Sequence, residues 1–219
     1  MHYPQLPDPT GWDVYAEYPM GLADNWTASD DGPVKYIHFW GSWRQDNVGQ
    51  TGNIQVRIYD NDTSGPVAKP GDALWTNIFT PQQYTTRLYA DDSEQGWYFP
   101  NLEGLPGAYT QNDHKQIWQF NIPVVPESFY QQQGQTYWLG IGGDFELEGA
   151  FCGWKTTLNP YSSSSVFWDG LAGDWVTLHD PVSGQPMDLA FVVEHLPEPG
   201  TICLLGLGAV ALITKRKTR

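Results

Sequence analysis

Apolar and polar positions alternate with a period of two through much of this chain. The clearest case is residues 53–60, where Ile54, Val56 and Ile58 fall on one side and Gln55, Arg57 and Tyr59 on the other. That period marks a strand with one buried face. Residues 35–43 (KYIHFWGSW), 115–123 (KQIWQFNIP), 135–143 (QTYWLGIGG) and 188–195 (DLAFVVEH) read the same way. In the third of these, Tyr137, Leu139 and Ile141 share a face. Shorter strands are predicted at ALWTNIF, TTRLYA, around Trp97, in FELEGAFCGWKT with a bend at Gly149, and at SSVFWDG and DWVTLHD. Residues 1–33, rich in Pro, Asp and Gly, read as a lead-in followed by an irregular edge segment.

No amphipathic helix separates these roughly nine to eleven strands, and parallel pairing needs crossovers of about a dozen residues. The pattern therefore predicts an all-β fold, an antiparallel β-sandwich of jelly-roll-like form, with a closed barrel as the alternative. The strands form one domain over residues 1–195, and a distinct tail over 196–219 carries a C-terminal hydrophobic helix. The 219 residues include 23 Gly and 17 Pro, which suits many turns, and 11 Trp, 12 Tyr and 9 Phe, which suit a large core.

Charge narrows the partners. The formal net charge is -14, and residues 1–199 hold all 25 acidic residues against seven Lys or Arg. Such a body does not suit nucleic acid, whose backbone needs clustered positive charge. It is equally unsuited to adsorption on anionic lipid. Of the two cysteines, Cys152 reads as a small buried residue and Cys203 lies in the apolar tail. The opening MHYPQLPDPTGW has no basic and apolar signal-peptide pattern, so an export signal is expected upstream of Met1.

Motifs with chemical potential are sparse. Asp60–Gly65 (DNDTSG) resembles the start of a calcium loop, but Gly71 stands where the bidentate Glu belongs and Pro66 follows the glycine. A turn is the better reading. Asp144, Glu146 and Glu148 alternate with Phe145 and Leu147, as catalytic carboxylates or a solvated strand face would. Asp91, Asp92 and Glu94 form a second acidic loop. The histidines His2, His38, His114, His179 and His195 show no metal-binding spacing, and His114 is the most plausible polar-loop site. Gly140–Asp144 reads as a bend ending a strand. Asn25 and Asn61 begin glycosylation sequons. No catalytic residue, metal ligand or cofactor is assigned. Trp40, Trp43, Trp97, Trp118, Trp138, Trp154, Trp168 and Trp175 are spread through the domain, and exposed coplanar rings among them would stack on sugars.

The tail is the most specific feature. Gly200–Thr214 would form a helix only about 22 Å long, against a hydrocarbon core of roughly 30 Å. It is a marginal permanent span, and the basic cluster after it favours the cytoplasmic side. Pro197-Glu198-Pro199-Gly200, the apolar run with Gly206 and Gly208, and then Lys215, Arg216 and Lys217 together resemble the PEP-CTERM sorting signal of exported bacterial proteins. That resemblance implies export, recognition near Pro-Glu-Pro by an exosortase-type membrane enzyme, and removal of the tail. Before processing, the tail would sit in the cytoplasmic membrane, with the β domain in the envelope or outside. The body, through GWDVYAEYPMGLADNW, GPVKYIHFWGSW, FCGWKT and DLAFVV, resembles an uncharacterised β-sandwich module of exported proteins from planctomycete-like bacteria.

The expected function is thus a non-enzymatic, exported cell-surface or extracellular-matrix protein. A carbohydrate-binding module is the alternative and requires two or three tryptophans aligned on an exposed face, with polysaccharide as partner. A polysaccharide hydrolase comes third and requires a cleft with converging carboxylates.

Overall fold

A computed structural model describes residues 4–16, 21–50, 52–100, 107–125, 128–144, 150–160 and 163–195. The strands among them are β1 (Trp12–Tyr15), β2 (Leu22–Thr27), β3 (Gly32–Trp43), β4 (Ile54–Asp62), β5 (Lys69–Phe79), β6 (Thr85–Ala90), β7 (Gln95–Phe99), β8 (Ala108–His114), β9 (Ile117–Pro123), β10 (Tyr130–Gln131), β11 (Thr136–Gly143), β12 (Cys152–Lys155), β13 (Val166–Asp169), β14 (Asp174–Thr177) and β15 (Phe191–His195). One short 3-10 turn, Arg44–Asp46, follows β3. The expected C-terminal hydrophobic helix lies outside the described residues. Among those residues, no helix is long and apolar enough to cross a membrane.

Two sheets pack as a sandwich. The larger runs β6-β9-β3-β12-β1-β7-β8, with β10 and β15 also pairing with β3; the smaller runs β14-β13-β2-β11-β4-β5. The long β3 organises the first. Residues 36–39 pair with β9 and also with β15, so those two strands lie on opposite edges of it. A register shift between Glu194 and His195 pairs them with Tyr36 and Val34, leaving Lys35 as an extra residue. Such a bulge resets the alternation. Val34 and Ile37 are both in the core, while Tyr36 is exposed.

The inner faces meet in one main core. Ile54, Val56 and Ile58 from β4 and Tyr137, Leu139 and Ile141 from β11 point into it, as the alternation predicts, against Phe39, Trp43, Phe120 and Trp154. The outer face of the smaller sheet is also covered. There Tyr59, Trp138, Ala23 and Val166 form a second cluster, packed by Trp175 and Ala68. Lys69 on β5 joins Asp174 on β14 at 2.8 Å, linking the two edge strands of this sheet.

Two expectations need correction. The described part of residues 1–33 is not an irregular edge: β1 lies between β12 and β7, and β2 between β13 and β11. Strand β2 (LADNWT) is buried on both faces, so it has no apolar–polar alternation to read. The sheets are also not wholly antiparallel, because β1 pairs with β7 in parallel through Trp12–Gly96, Asp13–Trp97 and Val14–Tyr98. Five strands, β2 to β6, lie between β1 and β7 on the way to this pairing, in place of a helical crossover.

Candidate functional site

A groove of about 340 Å³ opens on the outer face of the larger sheet. The period of two along the strands places His38 and Trp40 of β3, Gln119 and Asn121 of β9, Arg87 of β6, and Val192 and Glu194 of β15 on this face. Its apolar floor continues into a small cluster of Trp40, Ile117, Ala190 and Val192. Tyr89 stands edge-on to Trp40 at 5.7 Å. The polar wall is tied together: Arg87 Nε donates to Gln119 Oε1 at 2.7 Å, and His38 Nδ1 lies 2.7 Å from Asn121 Oδ1. His38 Nε2 is 3.6 Å from Glu194 Oε1. Trp40 Nε1 is buried with no hydrogen-bond partner among the described residues. Pro4 and Leu6 also line it, so the groove offers an apolar lining beside side chains that can donate and accept hydrogen bonds.

A second centre is wholly enclosed. Asp13 of β1 faces Lys155 of β12 directly across an antiparallel pair. Lys155 Nζ donates to Asp13 Oδ2 at 2.9 Å and to the Gly11 carbonyl at 3.0 Å. His114, at the end of β8, places Nε2 2.8 Å from the same Oδ2 and Nδ1 3.2 Å from Asp113 Oδ2. The side chains of Asp13, Lys155 and His114 are completely buried. Val14 and Trp154, their neighbours along the strands, point into the main core, so the ionic centre sits on the opposite face. Gly153 keeps it tight: a Cβ there would come within 3.1 Å of the Trp97 ring. Burial pushes the Asp13 carboxyl up, but Lys155 and His114 outweigh it and hold it below the usual range. Burial depresses the Lys155 ammonium. Burial opposes charging of His114, yet its bond to Asp13 leaves the imidazole above its ordinary pKa.

The other sequence candidates are separated. The DNDTSG stretch is strand through Asp62, whose carboxylate then accepts the Ser64 N–H at 2.8 Å in a turn. No group of His, Cys, Asp and Glu that could hold a metal occurs among the described residues. Glu94 pairs with Lys115 at 3.3 Å on the surface. Glu146, Glu148 and His2 lie outside the described residues, as do the sorting-signal positions Pro197, Glu198, Pro199, Gly200, Lys215, Arg216 and Lys217. His179 contacts the Thr177 carbonyl, and His195 lies 3.4 Å from Asp30. His114 is not a loop residue but the buried end of a strand. Strand β11 ends at Gly143, within the predicted bend. Asn25 is buried, and the Asn61 amide oxygen accepts the Trp138 indole N–H at 2.8 Å. Cys152 is buried, with its Sγ 3.8 Å from the Gly153 carbonyl oxygen.

The aligned tryptophan platform is absent among the described residues. Trp40, Trp43, Trp97, Trp138 and Trp154 are buried, Trp118 and Trp175 partly so, and Trp168 is 38% exposed. Trp168 meets Trp175 edge-on, at 74°, rather than coplanar with it. The groove leaves no signal in the sequence because its residues come from four strands and the N-terminal segment, far apart in the chain and each unremarkable alone. The opposed Asp13 and Lys155 leave no signal either, because β1 is buried throughout and has no alternation that marks it as a strand.

Comparison with known proteins gives two matches. The family model described as a domain of unknown function, DUF7901, matches residues 1–194. The PEP-CTERM protein-sorting motif matches residues 196–217. No curated protein matches the chain.

Proposed function

The chain belongs to the DUF7901 family and ends in a PEP-CTERM sorting motif, and from that premise we propose a non-enzymatic role at the cell surface or in the surrounding matrix. The motif marks an exported protein handled by exosortase, a membrane enzyme. The observation that carries the proposal is the immediate succession of domain and address: the family match ends at residue 194 and the motif begins at 196. In this reading the tail holds the protein in the cytoplasmic membrane until cleavage near Pro197–Gly200 releases the β domain. A binding rather than catalytic role is supported by the groove, whose Arg87, Gln119, His38 and Asn121 already satisfy one another in pairs.

The test is expression in a host that contains an exosortase, followed by fractionation and mass measurement of the mature C-terminus. Recovery outside the cytoplasm with the apolar run removed is the expected result. Quantitative retention of residues 202–213 in the mature protein overturns the processed-address reading.

A second reading, carbohydrate binding, is favoured by the groove on the outer sheet face and no longer by exposed tryptophan. Its apolar lining, Pro4 and the exposed Leu6 over the buried Trp40 and Val192, suits the apolar face of a sugar, and its amides and guanidinium suit hydroxyl groups. Glycan-array binding by the folded domain should weaken roughly tenfold in Asn121→Ala, the equivalent of about 1.4 kcal/mol. Unchanged binding in that variant and in Arg87→Ala places the sugar elsewhere and sinks this reading.

A further inference from the structure

Full burial of an ammonium, a carboxylate and an imidazole is costly, and a buried pair recovers its desolvation only with well-satisfied geometry. The centre around Asp13 falls short of that. Both cationic partners crowd onto Oδ2, while the equally buried Oδ1 has no hydrogen-bond partner among the described residues. Yet Lys155 Nζ stands 2.9 Å from the carboxylate, in register across β1 and β12. No conformational search separates amine from carboxyl, so the fold supplies the proximity that makes an intramolecular reaction fast.

We propose that Asp13 and Lys155 join in a self-formed isopeptide bond, with His114 as the proton-transfer group. The ammonium first passes one proton to Oδ2 along their hydrogen bond, giving a neutral amine beside a carboxylic acid. Nζ then adds to Cγ, forming the C–N bond. His114, holding its Nε2–H on Oδ2 at 2.8 Å, delivers that proton to the departing oxygen and is reprotonated at Nε2 by the second proton from nitrogen. The Cγ–Oδ2 bond breaks, and Oδ2 leaves as water. The sum is one ammonium and one carboxylate giving one amide and one water, with no oxidant or cofactor and with His114 regenerated. Depression of the Lys155 ammonium by burial favours the amine the first step needs, while the carboxyl's preference for its charged form opposes it.

The product fits the site better than the reactants. The amide N–H keeps the Gly11 carbonyl, 3.0 Å from Nζ. The orphan Oδ1 becomes the amide oxygen, and loss of Oδ2 leaves His114 Nε2 to donate to it. Two buried charges vanish, and the full burial of both side chains shields the amide from bulk water. The bond would tie residues 142 positions apart.

The test is the intact mass of the 219-residue chain measured after denaturation. The expected mass is lower by one water than that of the unlinked sequence, with Lys155→Arg as the unlinked reference after correction for the substitution. Trypsin should fail to cut after Lys155 and release a branched peptide joining residues 1–35 to residues 116–215. Asp13→Asn should still cross-link, now by losing ammonia in place of water. His114→Gln should accumulate the unlinked form. A folded wild-type protein with its full mass and normal cleavage after Lys155 overturns the proposal, whatever the variants do.

Discussion

Asp24 shows how one residue can set the acid–base behaviour of this domain. It is fully buried in β2, and its two oxygens accept backbone N–H groups from Asn25 at 2.7 Å and Leu189 at 2.6 Å. Those donors favour the carboxylate. Burial and the nearby charge of Asp188 act against it and win, holding the Asp24 carboxyl well above its ordinary range. A raised folded value means the folded state prefers the protonated form. The stabilisation from Asp24 is therefore full below the unfolded value of about 4 and is lost as pH rises through the folded value. Asp188→Asn removes the repelling charge and keeps an oxygen for the Ser165 N–H, now 3.2 Å away. We expect the denaturation midpoint of this variant to exceed that of the wild type near neutral pH and to converge with it near pH 4. Relief of one pKa unit would be worth about 1.4 kcal/mol. A constant offset at all pH values would show that Asp188 acts through packing alone.

At the level of the strand, legibility depended on a visible alternation of residue types, whether or not the second face was wet. Strands β4, β9 and β11 were plain because apolar residues alternate there with polar ones or with the ring of a tryptophan. Strands β1 and β2 were not, since every residue of β1 is buried and β2 hides Asp24 and Asn25 among apolar neighbours. The mostly exposed β8 (AYTQNDH) gives no hydrophobic signal at all, although it delivers His114 to the ionic centre. The groove was illegible for a different reason: its floor and walls exist only once β3, β6, β9 and β15 lie side by side. Close strand contact also yields a prediction. A Cβ on Gly41 of β3 would fall 2.2 Å from the Gly153 carbonyl oxygen, so Ala there must push β3 and β12 apart. At Gly71 of β5 the nearest atom is the Asp60 side-chain oxygen, which can move. Gly41→Ala should therefore cost roughly 1–3 kcal/mol in urea unfolding, and Gly71→Ala less. Equal losses would mean that β3 and β12 adjust as readily as a side chain.

For the whole molecule, the division of labour between body and tail follows from where apolar residues go. In the body they close on one another: the main core draws on every part of the chain from Val14 to Val193, and β15 ends at His195. In the tail, residues 202–213 form an almost wholly apolar run followed by four basic residues, with no alternation that would lay one face on a sheet. The basic end adds attraction to an anionic leaflet, whereas residues 1–199, with 25 acids against seven bases, are repelled by it. Membrane affinity should therefore reside in the tail and folding in the body. A chain stopped after His195 is expected to unfold in a single cooperative transition, within a few degrees of the full-length protein, because it keeps the whole core found among the described residues. It should also stay in the supernatant when membranes are sedimented, while the unprocessed 219-residue chain pellets with them. Sedimentation of the truncated chain with anionic vesicles would place a membrane-binding surface on the β domain itself. Loss of the cooperative transition would make residues 196–219 part of the fold.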